Sequence, residues 1–224
     1  MKTTPMKTTR GYRLVLPPGW VQVPVRDSGP GTAHEVISAA FRKPPEGIPR
    51  DAFTSARIEL EHRLEKMIRK ARQEGGLELF LACGQAYANP VPASFLIAEG
   101  SLGRATDDPL AVVTAIAEGA AADGGKPGEL RALDGAPASR VERVATPRGD
   151  DDRPSLRVEY TVPVPRPDFG GTDRWMVITF STLGDGDPSG EYAATLADLF
   201  DAIMSTLRWT CLLYTSPSPR DRQK

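Results

Sequence analysis

The sequence predicts an α+β fold in which a mostly antiparallel sheet of about seven strands is flanked by two or three helices. Two observations predict it. Four β-rich runs follow one another between residues 129 and 182, separated by turn material, and consecutive runs of this kind pair as an antiparallel meander. Residues 51–73 and 191–207 carry apolar residues at a helical period, so each segment has one face suited to packing against that sheet.

The first elements predicted along the chain are two short strands. Residues 12–16 form an apolar run that ends at the sequence PPGW, and Val21, Val23 and Val25 alternate with polar or prolyl positions. Together they predict a broken hairpin at the edge of the sheet. The segment TAHEVISAAF that follows is compatible with a short helix, which the sequence RKPPEGIP ends.

The segment Asp51 to Gln73 is the most strongly periodic part of the chain. At about 100° per residue, its apolar side chains fall within an arc of about 100°, which predicts that they face the core. They are Phe53, Leu60, Leu64, Met67, Ile68 and Ala71. The charged residues on the opposite side are typical of a solvated face. Gly75 and Gly76 end the helix.

Strands are predicted next at LELFLAC and SFLIAEG. A second helix follows, with Asp108 as N-cap and Pro109 in the first turn. After the four β-rich runs, the segment Glu191 to Leu207 is predicted to be the last helix. One narrow face of it holds Tyr192, Leu196, Leu199, Phe200, Ile203 and Leu207, and the other holds Asp198, Asp201 and Ser205.

The domain boundaries follow from the two ends of the chain. Residues 1–10 are predicted to be a flexible N-terminus, residues 11–209 a single α+β domain, and residues 210–224 a disordered, non-native tail. The tail prediction rests on back-translation: Cys211 to Asp221 matches, over eleven codons, one reading frame of a transposase-type sequencing-library adapter. Such a segment is left out of fold reasoning.

The composition, corrected for this tail, argues against nucleic-acid binding. Leaving out the tail's three basic residues and one acidic residue changes 28 basic and 29 acidic residues to 25 and 28. The net charge then moves from −1 to −3, without the basic excess that nucleic-acid binding usually needs. No apolar run is long enough for a signal peptide or a membrane span, so we expect a cytoplasmic protein without membrane contacts.

Three sequence features together resemble proteins of the PsbP-like superfamily. They are YRLVLPPGW near the start, the strand WMVITFST followed by a Gly/Pro loop, and the closing helix LADLFDAIMSTLRW. Members of that superfamily include a photosystem II extrinsic protein, a nuclear-import Ran-binding factor, mycobacterial LpqN-type lipoproteins and secretion-effector chaperones. The resemblance covers most of residues 11–209. It implies an α/β/α sandwich and adaptor, chaperone or assembly roles without catalysis, and it carries over no functional residue.

The chemically versatile side chains give no catalytic pattern, and no catalytic residue is predicted. Cys83 lies in the apolar sequence LFLACGQ, away from any histidine in sequence, which favours a structural thiol over a nucleophile. His34 and His62 lack the spacing of a zinc site or a general base. No nucleophile elbow, P-loop or dinucleotide-binding fingerprint is present. We therefore expect no cofactor.

Two acidic sequences have partial metal-site patterns. In DGDPSGEY, Asp185, Asp187 and Ser189 have the spacing that opens a calcium loop, but Leu196 stands where the closing bidentate carboxylate is required. A turn beside a helix start is the favoured interpretation. In GDDDR, the adjacent carboxylates of residues 150–152 repel one another into solvent. No metal is predicted at either place.

The favoured function is therefore a non-catalytic protein-binding adaptor or chaperone-like module, with another protein as partner. Trp209 is the candidate residue of a partner surface, because it follows the last predicted helix; the other native tryptophans, Trp20 and Trp175, are expected in the core. Two alternatives stay open. One is a protein that binds a small ligand in a groove between helix and sheet, and the other is a hydrolase with an unrecognised site.

Overall fold

A computed structural model describes residues 9–42, 47–83, 91–100, 102, 108–122, 127–146, 153–165 and 172–212. These residues form an α+β fold with a seven-stranded antiparallel sheet, which confirms the predicted class. A separate two-stranded ribbon and four helices complete the described part of the chain. The sequence predicts two or three helices, and the additional one is formed by the segment TAHEVISAAF, which is compatible with a short helix.

The strands are β1 (Thr9–Arg13), β2 (Val21–Pro24), β3 (Gly76–Leu81), β4 (Ala93–Gly100), β5 (Glu129–Leu133), β6 (Ala136–Ala145), β7 (Ser155–Pro163), β8 (Trp175–Thr182) and β9 (Arg208–Leu212). The helices are α1 (Thr32–Ala40), α2 (Arg50–Gln73), α3 (Pro109–Ala122) and α4 (Glu191–Ser205). The sheet has the order β2-β3-β4-β8-β7-β6-β5, so the predicted meander β5 to β8 is confirmed. Strand β4 joins this meander to β3 and β2.

One face of the sheet is covered by α4. Alternate residues of β4, β7 and β8 point to this face and are fully buried, as the strand period requires. Phe200 of α4 lies at the centre, with its ring stacked on Phe180 at 4.9 Å and tilted against Phe95 at 5.5 Å. Aromatic pairs at these separations stabilise a core beyond the area they bury. This aromatic cluster fixes α4 to the middle of the sheet.

The opposite face carries the other three helices. Helices α1 and α2 pack together over β2 and β3, around a smaller core that includes Val23, Leu64, Ile68 and Leu79. Helix α3 packs over β5, β6 and β7. Its predicted N-cap is confirmed, because the Ala111 N–H donates to the Asp108 carboxylate at 3.0 Å. Helices therefore lie on both faces, as in an α/β/α sandwich.

The predicted N-terminal hairpin is wrong. Strand β1 pairs antiparallel with β9, whereas β2 pairs with β3 in the main sheet. The β1–β9 ladder ends at Arg13, and Pro17 and Pro18, which have no N–H donors, lie with Gly19, at φ +89°, in the connection to β2. The chain therefore leaves the ribbon before it enters the main sheet.

The end of the domain also differs from the predicted boundary. Thr210, Cys211 and Leu212, assigned to the tail, lie in β9 and pair with Gly11, Arg10 and Thr9. Backbone groups make such a ladder, so an extended segment pairs in it whatever its side chains are. The start of the domain shifts likewise, since β1 begins at Thr9. The rest of the predicted tail, residues 213–224, and residues 1–8 lie outside the described residues.

The predicted buried face of α2 needs correction, and a turn defines the start of α4. In α2, Leu64, Ile68 and Ala71 are buried as predicted, but Leu60 and Met67 are exposed. In α4, Asp187 closes the preceding turn by accepting from the Ser189 N–H at 2.9 Å, and Gly190 takes the N-cap position. Leu60 and Met67 are exposed because they lie to one side of the buried stripe of α2, and this exposed flank forms part of the site described next.

Candidate functional site

The face of the sheet that carries α1, α2 and α3 is only partly covered in its centre. Leu96 on β4 and Thr179 on β8 are directly paired there, and both are partly exposed, although Phe95 and Ile178 beside them are fully buried on the α4 side. Similar partial exposure extends to neighbouring residues of β4, β7 and β8. We call this surface the open face, and it consists of Ser94, Leu96, Ala98, Val177, Thr179, Ser181, Arg157 and Glu159.

Leu60 and Met67 of α2 border the open face. Relative to buried Leu64, they lie about 40–60° to one side of the helix, whereas Glu61 and Arg72 lie about 60–80° to the other side. The second side belongs to α1 and β2: Glu61 contacts His34 of α1 at 3.1 Å, and the Arg72 guanidinium donates to the Val25 carbonyl at 3.0 Å. Leu60 and Met67 therefore face the centre of the sheet.

Both side chains are accessible, since Leu60 is 36% and Met67 44% exposed. Their helical period made them look like core residues in the sequence. Helical periodicity cannot show how much of the sheet a helix covers, because coverage depends on which strands the helix lies over. An exposed Leu–Met pair is a surface that can be buried against a partner.

The chemistry of the open face changes from apolar to polar with distance from α2. Directly paired residues of neighbouring strands form rows across the sheet. The row nearest the middle of the open face runs from Leu79, under α2, through Leu96 and Thr179 to Glu159. The next row runs through Ser94, Ser181 and Arg157 to Arg143. A partner in contact with this face would therefore meet apolar side chains beside α2 and hydroxyl and guanidinium groups further away.

Trp209, the predicted residue of a partner surface, lies elsewhere, in β9 of the ribbon. It pairs with Tyr12, it is half-buried, and it packs against the large core under α4. Its backbone N–H donates to the Asp134 carboxylate at 2.8 Å, while its buried indole N–H finds no hydrogen-bond partner among the described residues. Trp209 thus anchors the ribbon to the core, and a contact with a partner stays a prediction. Trp175 is buried and Trp20 packs on the core.

A buried charged cluster connects α4 to the sheet, and no sequence pattern predicts it. The Nε of Arg140, whose side chain is 7% exposed, donates to both carboxylate oxygens of Asp201 at 3.0 and 2.9 Å. Its Nη2 donates to Glu142 at 2.9 Å, and the Tyr160 hydroxyl donates to Asp201 at 2.9 Å. The helical period places Asp201 opposite the apolar face of its helix, and period alone does not reveal a cation on a neighbouring strand.

The pKa shifts in this cluster have a structural origin. Burial opposes the positive charge of Arg140, but hydrogen bonds to Asp201 and Glu142 outweigh it and raise the pKa of the guanidinium. Burial, together with the negative charge of Asp201, raises the pKa of the Tyr160 hydroxyl. Both groups therefore hold their protons, and the cluster acts as a fixed connection between α4, β6 and β7.

Glu99, at the end of β4, is the carboxyl group with a resolved pKa shift among the described residues. Hydrogen bonds from Arg26 at 2.7 Å and Arg174 at 2.9 Å hold its pKa below the usual range. A general acid needs the opposite shift, a raised carboxyl pKa. This carboxylate is an ion-pair partner that connects the ends of β2, β4 and β8.

The sequence patterns considered for metal binding have structural explanations where they are described. The Asp185 carboxylate accepts from the Asp187 N–H at 3.4 Å within the turn, and Leu196 is buried in the core. His34 contacts Glu61 of α2, and His62 is exposed on that helix. No group of three potential ligands forms among the described residues. Residues 150–152 of the GDDDR sequence lie outside them.

Cys83 directly follows the buried residue Ala82, after the end of β3, and is half-buried. Burial raises the pKa of its thiol, which favours the unreactive neutral form. In a Cys211→Ser background, we expect a thiol reagent at neutral pH to label Cys83 about tenfold more slowly in the folded protein than in the unfolded chain. Mass spectrometry measures the labelling. Equal rates in the folded and unfolded protein would show that the thiol is neither protected nor structural.

No helix of the described part of the chain has the length and apolar character needed to cross a membrane.

Comparisons with known proteins give structural likenesses. No family model matches the chain, and no curated protein matches it. The Ran-binding protein Mog1p of Saccharomyces cerevisiae is similar with a TM-score of 0.40 and 10% identity, over 91% of this chain and 96% of that one. The cyanobacterial PsbP (CyanoP) of Synechocystis has a TM-score of 0.37 and 14% identity, over 93% of this chain and 98% of that one.

A protein of Bacteroides thetaiotaomicron has a TM-score of 0.31 and 12% identity, over 60% of this chain. The chain spans 38% of the length of that protein.

Proposed function

We propose that the protein is a non-catalytic adaptor or chaperone-like module that binds another protein through the open face and the flank of α2 beside it. The observation that carries the proposal is the exposure of Leu60 and Met67 on the flank of α2 away from α1, together with the partly exposed Leu96, which packs against the core under α2. Exposed apolar side chains are common singly, but a contiguous group with a polar border is typical of a protein contact. Thr179, Ser181 and Arg157 provide that border.

The electrostatics of the described residues favour binding over catalysis. A hydrolytic site would be expected to hold a carboxyl, histidine or thiol whose pKa is shifted toward the operating pH. The shifts of Glu99 and Cys83 go the other way, since the carboxyl pKa is lowered and the thiol pKa is raised. The lowered pKa makes the Glu99 carboxylate a weaker base, and the raised pKa keeps the Cys83 thiol protonated, so neither shift activates its group at neutral pH.

The test compares partner capture by two variants of the same helix. Met67→Glu places a carboxylate on the flank of α2 that faces the open face. Ile58→Glu places the same group on the other flank, at a residue that is 50% exposed. With each protein immobilised, proteins bound from a lysate of the source cells are quantified by mass spectrometry.

We expect the wild-type protein and Ile58→Glu to retain the same specific partner. Met67→Glu should lose most of it, because burying an unpaired carboxylate in an apolar contact is unfavourable. Loss of the partner in both variants, or in neither, would contradict the proposed surface. Circular dichroism of each variant verifies that the fold is intact.

A further inference from the structure

Among the described residues, no strand pairs with the outer edge of β5, and this edge, unlike the other edge of the main sheet, contains no proline. Four consecutive residues of β5, Glu129 to Ala132, are exposed. At the opposite edge, β2 has four residues and ends at Pro24, which offers no N–H donor. Prolines and charged side chains oppose edge-to-edge pairing; β5 contains no proline, and its charged residues, Glu129 and Arg131, restrict pairing to registers in which they are complementary.

The direction of the free backbone groups of β5 follows from the turn that connects it to β6. Asp134 and Gly135, at φ +50° and +79°, form a two-residue turn, so Leu133 and Ala136 exchange their hydrogen bonds. Since bonded and non-bonded pairs alternate, the N–H and C=O groups of Leu130 and Ala132 point away from β6. Ala132 lies opposite Pro137, which has no N–H to donate, in agreement with this pattern.

The charges on β5 are complementary to themselves in one antiparallel register. Glu129 and Arg131 form an ion pair within the chain, and their side chains are 50% and 49% exposed. If two β5 strands pair with Leu130 opposite Leu130, each Glu129 lies opposite Arg131 of the second copy. A register centred on Arg131 would place two guanidinium groups opposite each other, which is unfavourable.

The same register also satisfies the backbone. Leu130 is a residue whose N–H and C=O both point outward, so the two Leu130 residues can exchange both hydrogen bonds across the two-fold axis. Each Ala132 N–H then lies opposite the Gly128 carbonyl of the second copy. The Gly128 N–H stays within its own chain, donating to the Ala117 carbonyl at 2.9 Å. Leu130 is 49% exposed, and its side chain would meet its counterpart on the α3 side.

We propose that two copies of this chain associate through their β5 edges, antiparallel and centred on Leu130, to form one continuous sheet across the two-fold axis. The contact is small, so the dimer forms at micromolar or higher protein concentrations. It lies on the sheet edge and leaves the open face accessible, so it is independent of the proposed partner surface.

The first test follows self-association by sedimentation velocity across a range of concentrations. Leu130→Pro removes the outward N–H but none of the bonds to β6, whereas Leu130→Ala keeps that N–H. We expect a concentration-dependent dimer for the wild-type chain and for Leu130→Ala, and a monomer for Leu130→Pro. In the wild-type protein, hydrogen exchange at Leu130 and Ala132 should slow as the concentration rises.

A charge variant provides a second measurement that decides the question if Leu130→Pro fails to fold. Arg131→Glu places like charges opposite one another in the proposed register and should weaken dimerisation about tenfold or more. Arg157→Glu makes the same change on the open face, and dimerisation should be unaffected. A wild-type chain that stays monomeric at high concentration, or a dimer that survives both Leu130→Pro and Arg131→Glu, would overturn the proposal.

Discussion

Replacing Phe200 with alanine is expected to lower the free energy of unfolding by about 3–5 kcal/mol, the usual cost of removing a buried aromatic side chain. Phe200 has no exposed surface, and its ring contacts Phe180, Phe95 and Tyr160 in the core under α4. The substitution would leave a cavity between α4 and the sheet and remove the packing contacts that the ring makes there. The free energy is measured by denaturant unfolding followed by circular dichroism.

The matched control for this variant is Tyr192→Ala, on the first turn of the same helix. Tyr192 is 40% exposed, so its removal is expected to cost less than about 1 kcal/mol. Equal losses for the two variants would show that Phe200 does not occupy the centre of the core.

The second large effect is expected from Arg140→Ala, which should cost about 3 kcal/mol. Removing one partner of a buried ion pair leaves the other charges without compensation, and the usual cost is about 3–5 kcal/mol. The lower end applies because the Asp201 side chain is 25% exposed, so that solvent screens part of its charge. Unfolding in denaturant measures the effect.

Arg143→Ala is the control on the same strand. The Arg143 side chain is 54% exposed and lies 3.9 Å from Glu159, a distance and exposure at which an ion pair contributes no more than about 1 kcal/mol. If Asp201→Ala and Arg140→Ala are combined, the double variant should lose less than the two single losses added together. Additive losses would mean that the two residues do not act as a pair.

The parts of the fold that could be predicted from the sequence are those fixed by local periodicity. The meander of β5 to β8 follows from consecutive strand patterns and turns. The buried stripe of α2 follows from the helical spacing of Leu64, Ile68 and Ala71. The Asp108 cap follows from a residue type whose carboxylate accepts from a backbone N–H in the first turn.

The parts that could not be predicted depend on contacts between segments distant in sequence. Strand β1 pairs with β9 across almost the whole chain, and no local pattern distinguishes that partner from β2. The contact between Arg140 and Asp201 joins residues 61 positions apart. The open face was missed for the same reason, because the exposure of Leu60 and Met67 depends on the strands that α2 does not cover.

The most direct measurement of the central claim is site-specific photo-crosslinking from the open face. A photoreactive benzoyl-phenylalanine is placed at position 67, and in a second protein at position 58 on the opposite flank of α2, and both are irradiated in the cells that carry the gene. The proposed function predicts a discrete covalent adduct with another protein from position 67 and none from position 58. An adduct from position 58 alone, or no adduct from either, would contradict partner binding at the open face.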